Sequence, residues 1–401
     1  MTTKLRAASF QNSLIDSAMI PTNAITSAKI SADAITNAKI ADDAIQTENI
    51  ASAVNLGRRN IIINGAMQVA QRGTSQTNIG NSTGGGYFTL DRFTTAFTTS
   101  GIFTMTQTAD GPSGFANCLK LDCTTADTSI SAGEYGILRY LIEGQDVQQL
   151  KKGTSDAEQV TISFYVKGNA NATYQLEFKD ADNNRINSQA FSVTTSWNRI
   201  ELTFAADTTG VFDDDNAASV QLNFWLHAGS TYTSGTNVSN TWASSTDANR
   251  VGSITSFFDS TDRTFFLTGL QMEVGSHATP FEHRSFGEEL ALCQRYFCLF
   301  ADGNELIGGG GYQSSTFPDV VVQFPVPMRT GPTLVQTSGS NYYGVTTHNA
   351  LPETFNDFTV AYTTSNINQL LYPNQSVAGT QGSYGRFHCQ GSGKISFNAE
   401  L

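Results

Sequence analysis

Apolar positions along the chain follow two distinct rhythms. Between residues 15 and 50 an isoleucine returns every five residues: Ile15, Ile20, Ile25, Ile30, Ile35, Ile40, Ile45 and Ile50. The fuller unit is ten residues long, AITSAKISAD, then AITNAKIADD, then AIQTENIASA. On an α-helix five residues turn through about 500°, so these isoleucines would spiral round the helix and form no stripe. On a flat strand a step of five alternates faces. The pattern suits short extended pieces broken by turns at Asn, Asp, Ser and Ala. With one large apolar residue per pentad, a single chain cannot bury its isoleucines, whereas three parallel copies bring them onto a shared axis. A trimerisation stalk of ten-residue repeats is therefore expected over 13–54, preceded by an attachment segment over 1–12. A disordered low-complexity linker is the alternative. The strict register favours the stalk, because disorder needs none.

From residue 55 to 285 the rhythm becomes that of strands. The runs NIIINGAMQVAQ, YFTLDRFTTAFT, GIFTMTQTA, NCLKLDCTT, YGILRYLIEG, QVTISFYVKG, TYQLEFKD, NRIELTFAAD, VQLNFWLHAG and RTFFLTGLQMEVG are short, rich in β-branched and aromatic residues, and mostly alternating. Clusters of Gly, Asn, Asp or Ser separate them, which predicts one large jelly-roll-like β-sandwich. DVQQLKKG reads as a short helix or turn at its rim. Over 286–298 good helix formers follow Ser285, an N-cap type. Glu288 and Glu289 in the first turn and Arg295 in the last complement the helix dipole. A connector helix with Leu290, Cys293 and Phe297 on one face is expected. Residues 299–401 return to β with SSTFPDVVVQFPVP, TLVQTSG, NYYGVTTHN, DFTVAYTTS, YGRFHCQ and KISFNAEL, and predict a C-terminal β-sandwich tip. The expected fold class is thus all-β.

Composition sharpens this. Only 14% of residues are charged and 35 are glycine, with 26 Phe and 13 Tyr. The net charge of −12 argues against nucleic acid, which needs a basic face. No run of about 18 apolar residues occurs, so no membrane insertion is expected. The opening MTTKLRAASFQNSL has no apolar core of the signal-peptide kind. Release by cell lysis, as for a virion part, fits a recognition protein without an export signal. Cys118 and Cys123 stand near enough to meet across a turn, yet the odd count of five cysteines favours reduced thiols.

Candidate chemistry is sparse. Asp180-Ala-Asp182-Asn-Asn alternates hard oxygens and is a candidate structural Ca2+ loop, although it lacks the Gly and distal Glu of an EF-hand. The acidic cluster Asp213, Asp214 and Asp215 reads as a solvated turn. No histidine pair has zinc spacing, and GGGG at 308–311 has no following Lys-Ser/Thr, so it reads as a flexible loop and not as a phosphate loop. Aromatic residues in amide- and hydroxyl-rich loops suit saccharides, by stacking and hydrogen bonding. Tyr232 and Trp242 in the 230–250 stretch, and Tyr342, Tyr343 and Tyr372 in the tip, are the candidate glycan contacts. Trp242 is preferred over Trp225 and Trp197 because it lies in a polar loop. Packing is the competing role for each.

The chain also resembles tail fibre proteins of tailed bacteriophages, especially those of marine and cyanobacterial phages. TSAKISADAITNAKIADDAI looks like their stalk repeats. GRRNIIINGAMQVAQRGTS followed by LDRF looks like the opening of their jelly-roll, carbohydrate-binding-module-like domain. IEGQDVQQLKKGTSDAEQVTISFYVKG and SWNRIELTFAADTTG match its middle, and LTGLQMEVGSHATPFEHRSFGEELALCQRYF its end. Lys152 departs from the pattern, standing where an aromatic is expected before Gly-Thr. The resemblance implies a virion location, a homotrimer, docking on phage tail or adaptor proteins through the N-terminus, and recognition of host surface polysaccharide without catalysis. A polysaccharide depolymerase with an active site between subunits, and a purely structural virion appendage, stand as alternatives.

Overall fold

The computed structural model describes residues 58–401 apart from 81–83, 348–351 and 363–364. The attachment segment and the eight stalk isoleucines lie outside the described residues. Residues 58–401 form one compact unit, built from two all-antiparallel β-sandwiches.

The first sandwich, the body, contains β1 (Ser75–Gly80), β2 (Gly85–Tyr87), β3 (Phe93–Thr98), β4 (Ile102–Thr108), β5 (Cys118–Thr125), β6 (Tyr135–Glu143), β7 (Val160–Gly168), β8 (Ala172–Asp180), β9 (Arg185–Val193), β10 (Asn198–Phe204), β11 (Ala218–Ala228), β12 (Ala243–Ser244) and β13 (Thr264–Val274). One sheet runs β1-β4-β5-β13-β7-β10 and the other β12-β9-β8-β11-β6-β3-β2, a jelly-roll-like arrangement. Alternation drives it: Ile162, Phe164 and Val166 of β7 meet Leu222, Phe224 and Leu226 of β11 in one core. Phe164 and Phe224 touch edge to face across the sheets, with centroids 5.2 Å apart. DVQQLKKG forms a short 3₁₀ turn over Gln148–Leu150, just after another over Gly144–Asp146, in keeping with the expected helix or turn.

The body departs from expectation at its start. NIIINGAMQVAQ is apolar enough for a strand but forms none. Asn64 and Met67 adopt left-handed backbone, with φ of 61° and 57°, and the chain folds back on Asn side chains. Asn64 Nδ2 donates to Val69 O (2.8 Å) and Asp91 O (3.0 Å), while its Oδ1 accepts from Val69 N at 2.9 Å. Asn60 Oδ1 accepts from Ile62 N and Met272 N. These side chains satisfy the backbone groups that a sheet would have satisfied. The kink lets adjacent isoleucines serve different cores: Ile62 packs in the main one, Ile63 in a smaller one.

A single-turn α1 (Ser230–Thr233) follows β11, and a helix, α2 (Phe286–Gln294), forms within the 286–298 segment but ends earlier than expected, so that Phe297 begins a strand and is not on the helix face. Ser285 caps α2, accepting from Glu288 N at 3.3 Å. Cys293 is buried with Tyr296, Ile63 and Val69, and Leu290, Leu292 and Leu401 pack around them. The tip sandwich begins at once, with β14 (Phe297–Asp302). It continues through β15 (Leu306–Ser314), β16 (Phe317–Gln323), β17 (Thr333–Gln336), β18 (Tyr343–Thr347), β19 (Glu353–Phe355), β20 (Phe358–Val360), β21 (Asn368–Pro373), β22 (Tyr384–Cys389) and β23 (Lys394–Asn398). A three-stranded sheet β14-β23-β17 faces a seven-stranded sheet β19-β18-β22-β15-β16-β21-β20.

Gly308–Gly311 is not a loop. It is the middle of β15, paired with β16 on one side and β22 on the other. A methyl group on Gly310 would fall 1.8 Å from the Asp319 carbonyl oxygen, and one on Gly309 would fall 1.9 Å from the Tyr384 hydroxyl. The glycines serve close approach, not flexibility.

Candidate functional site

The tip's seven-stranded sheet turns one face to its core and the other outward. Along β16, Pro318, Val320 and Val322 are buried, while Phe317 and Val321 are exposed. Along β22, Gly385 and Phe387 are buried, while Tyr384 and Arg386 are exposed. On β21, Tyr372 shares the outward register with Leu370. Phe317 and Tyr372 form a tilted ring pair with centroids 4.9 Å apart. This pair lines an open cleft of about 540 Å³ together with Thr359, Asn374, Gln375 and Ser376. Further along the same face, the Tyr384 ring lies over Gly309, whose missing side chain makes room for it. Tyr384 is 64% exposed. Large apolar rings held open to water beside amides and hydroxyls can stack on the C–H face of a sugar and hydrogen-bond its hydroxyls.

Of the candidate aromatic contacts, the structure brings only Tyr372 to this face. Tyr343 is fully buried in the tip core, its hydroxyl donating to Thr337 O (3.0 Å) or Lys394 O (2.8 Å). Tyr342 packs half-buried against that core. Strands β22, β15 and β16 lie between β18, which begins at Tyr343, and β21. Trp242 has its indole N–H on Ala205 O (2.7 Å) and its ring edge to face with Phe178 at 5.1 Å. Tyr232 packs against Tyr135 and Trp225. Both are anchoring rings of the body. A polar loop composition did not separate them from free rings, because the 230–250 segment lies back over the sheet: Arg250 O accepts from Gln175 Nε2 of β8 at 2.5 Å.

The calcium reading of Asp180 and Asp182 is corrected as well. Asp180 is fully buried and its carboxylate already faces a cation, Lys152 Nζ at 2.5 Å. Asn183 adds its backbone and side-chain N–H groups to Asp180. Asp182 serves a different partner, the Asp213 backbone N–H at 3.0 Å. Lys152, the residue that departs from the tail fibre pattern, also reaches Asp207 at 3.1 Å and lies 5.2 Å from the rings of Phe212 and Trp242. Burial would raise the Asp207 carboxyl, but hydrogen bonds from Arg185 and Lys152 outweigh it and hold the group below its usual range.

All five cysteines are free and buried. Cys118 and Cys123 lie on one strand, β5, and not across a turn, and burial pushes both thiols up to about 11. In the tip the sequence missed Phe317 and Tyr384. The glycine run was the available signal, since consecutive glycines between alternating segments mark a sheet crossed closely by a large ring.

No protein-family model matches this sequence, and no curated protein matches it. Among solved structures, a CBM4 structure aligns with 53% of this chain and 98% of its own, at 12% identity and a TM-score of 0.27. The enzymatically active domain of a bacteriophage CBA120 tailspike protein aligns with 46% of this chain and 19% of its own, at 13% identity and a TM-score of 0.26. The CBM22-1 xylan-binding domain of Paenibacillus barcinonensis Xyn10C aligns with 51% and 94%, at 14% identity and a TM-score of 0.24. At such TM-scores these likenesses decide neither topology nor ligand, and the fold assignment rests on the strand order described above.

Proposed function

We propose that this chain is the glycan-recognising, non-enzymatic component of a bacteriophage tail fibre, and that the outward face of the tip sheet makes the contact with the host. The observation that carries the proposal is the trio Phe317, Tyr372 and Tyr384 on the outward face of one sheet, Phe317 and Tyr384 exposed and Tyr372 half-buried. The side chains around the Phe317–Tyr372 cleft are hydroxyls and amides. That set suits binding a neutral saccharide and lacks the paired carboxylates of glycoside hydrolysis. The resemblance of the stalk and body sequences to tail fibres supplies the virion setting, the homotrimer and docking through the N-terminal segment. Three weak sites on one trimer would gain strength through effective concentration.

The test uses the full chain on host cells and on isolated surface polysaccharide. Wild type binds both and releases no new reducing ends. Phe317→Ala, Tyr372→Ala and Tyr384→Ala each weaken binding by about tenfold, in keeping with ring contacts of about 1–1.5 kcal/mol. Binding that survives all three substitutions refutes the tip assignment.

A further inference from the structure

At one end of the body, Asp127, Glu134 and His227 place candidate donor atoms within 4.8 Å of one another. Asp127 and Glu134 lie in the loop between β5 and β6, and His227 lies near the end of β11. The His227 side chain is fully buried, yet its Nε2 has no hydrogen-bond partner among the described residues. Glu134 Oε2 stands 3.8 Å from it, beyond hydrogen-bond reach. The other ring nitrogen, Nδ1, is 2.8 Å from Ser256 Oγ, which already accepts the Phe258 N–H. The tautomer with its proton on Nδ1, donating to Ser256, leaves an in-plane lone pair on Nε2 facing the carboxylates, and it is the form that metal binding requires.

The carboxylates are themselves held. Asp127 Oδ2 accepts from Thr99 Oγ1 (2.7 Å) and Ser100 N (3.0 Å), and its Oδ1 accepts from Ser129 N (3.3 Å). Glu134 Oε2 accepts from Ser131 N at 2.6 Å. Such outer contacts orient ligands while leaving lone pairs free. A buried imidazole nitrogen without a partner calls for an explanation, and an ion between it and the two carboxylates supplies one.

We propose that Asp127, Glu134 and His227 bind a divalent transition-metal ion of the Zn2+ type, which staples the β5–β6 loop to β11. An imidazole in the set disfavours Ca2+, which takes about six to eight oxygens. Glu134, with its side chain 18% exposed, is the member able to move inward to the metal–oxygen distance of about 2.0–2.2 Å, and its opening gives the ion a way in.

The experiment titrates Zn2+ into the full chain after chelator treatment, with thermal unfolding and calorimetry as readouts, and repeats the titration with Co2+ to follow visible absorption. Wild type should bind one ion per chain, unfold at a higher temperature with it, and show a Co2+ band. Glu134→Gln and His227→Gln should each lose about tenfold or more in affinity along with the band, and Ser256→Ala, acting through the imidazole, about tenfold. Glu134→Gln is near-isosteric and partly exposed, so it carries the test if His227→Gln does not fold. No saturable binding by wild type, or binding unchanged in Glu134→Gln, overturns the proposal.

Discussion

Lys152 shows how much one side chain can decide. Its ammonium sits among Asp180, Asp207 and the carbonyls of Thr209 and Gly210, the last two at 2.8 and 2.9 Å. Lys152→Met removes the cation and leaves the buried Asp180 carboxylate uncompensated, while Asp207 keeps Arg185, so stability should fall by about 3–5 kcal/mol in urea denaturation. A loss below about 1 kcal/mol would mean the pair is screened like a surface bridge. Asp91 gives a prediction in pH. Burial raises its carboxyl from 3.8 to about 6, against the opposing pull of Arg72 and Gln71. The folded chain therefore holds this proton more tightly than the unfolded chain. The contribution of Asp91 to stability is most favourable below pH about 4 and is lost as pH rises through about 6. The stability of wild type minus that of Asp91→Asn should fall by about 2–3 kcal/mol between pH 4 and 6.5. A difference that stays flat across that range contradicts the shift.

Among the elements, β15 separates two roles for glycine. Gly310 approaches backbone, so Gly310→Ala must shift a strand and should destabilise the tip by about 3 kcal/mol. Gly309 approaches only the end of the Tyr384 side chain, so Gly309→Ala should displace that ring, leave stability within about 1 kcal/mol, and weaken glycan binding. Unfolding curves and binding isotherms of the two variants check this. Equal effects of the two on stability would refute the distinction. Strands of the alternating kind, such as β7, β8 and β11, were legible from sequence because their period is fixed by burial of one face. What escaped was structure made by side chains meeting at long range. NIIING read as a strand because its kink depends on Asn60 and Asn64 finding carbonyls and amides far along the chain. RINSQAFSV, which is β9 in the structure, is not among the expected strands, because Asn187 and Ser188 are polar yet buried beneath the 230–250 segment. Of the candidate aromatics, Tyr372 reached the outward face, while Tyr232 and Trp242 pack against the body, because composition identifies rings in polar company but not which way the loop folds back.

On the scale of the whole described unit, body and tip are joined by the residues of the tail-fibre-like opening motif. In LDRF, Arg92 is fully buried, pairs with Glu400 near the C-terminal end of the tip, and lies 3.4 Å from the Tyr296 ring centroid. Arg72 bridges Asp91 and Glu400 and lies 3.6 Å from the Phe297 ring centroid. Gln71 donates to Phe297 O and accepts from Leu299 N, extending β14 toward the body. Glu143 of β6 holds Arg295 through two bonds of 3.1 and 2.7 Å. A buried, charged junction of this kind predicts that the two sandwiches unfold together. Arg92→Met should split a single transition into two, read by calorimetry, because Glu400 then keeps only Arg72 and the Leu141 carbonyl loses its donor. One undivided transition in the variant would show the junction is held by its apolar cluster instead. The most direct test of the central claim is binding of the full chain to host cell-surface polysaccharide, measured beside Tyr372→Ala/Tyr384→Ala. Saturable binding by wild type and its near-complete loss in the double variant, at unchanged stability, is the predicted result. Equal binding by both proteins would contradict it.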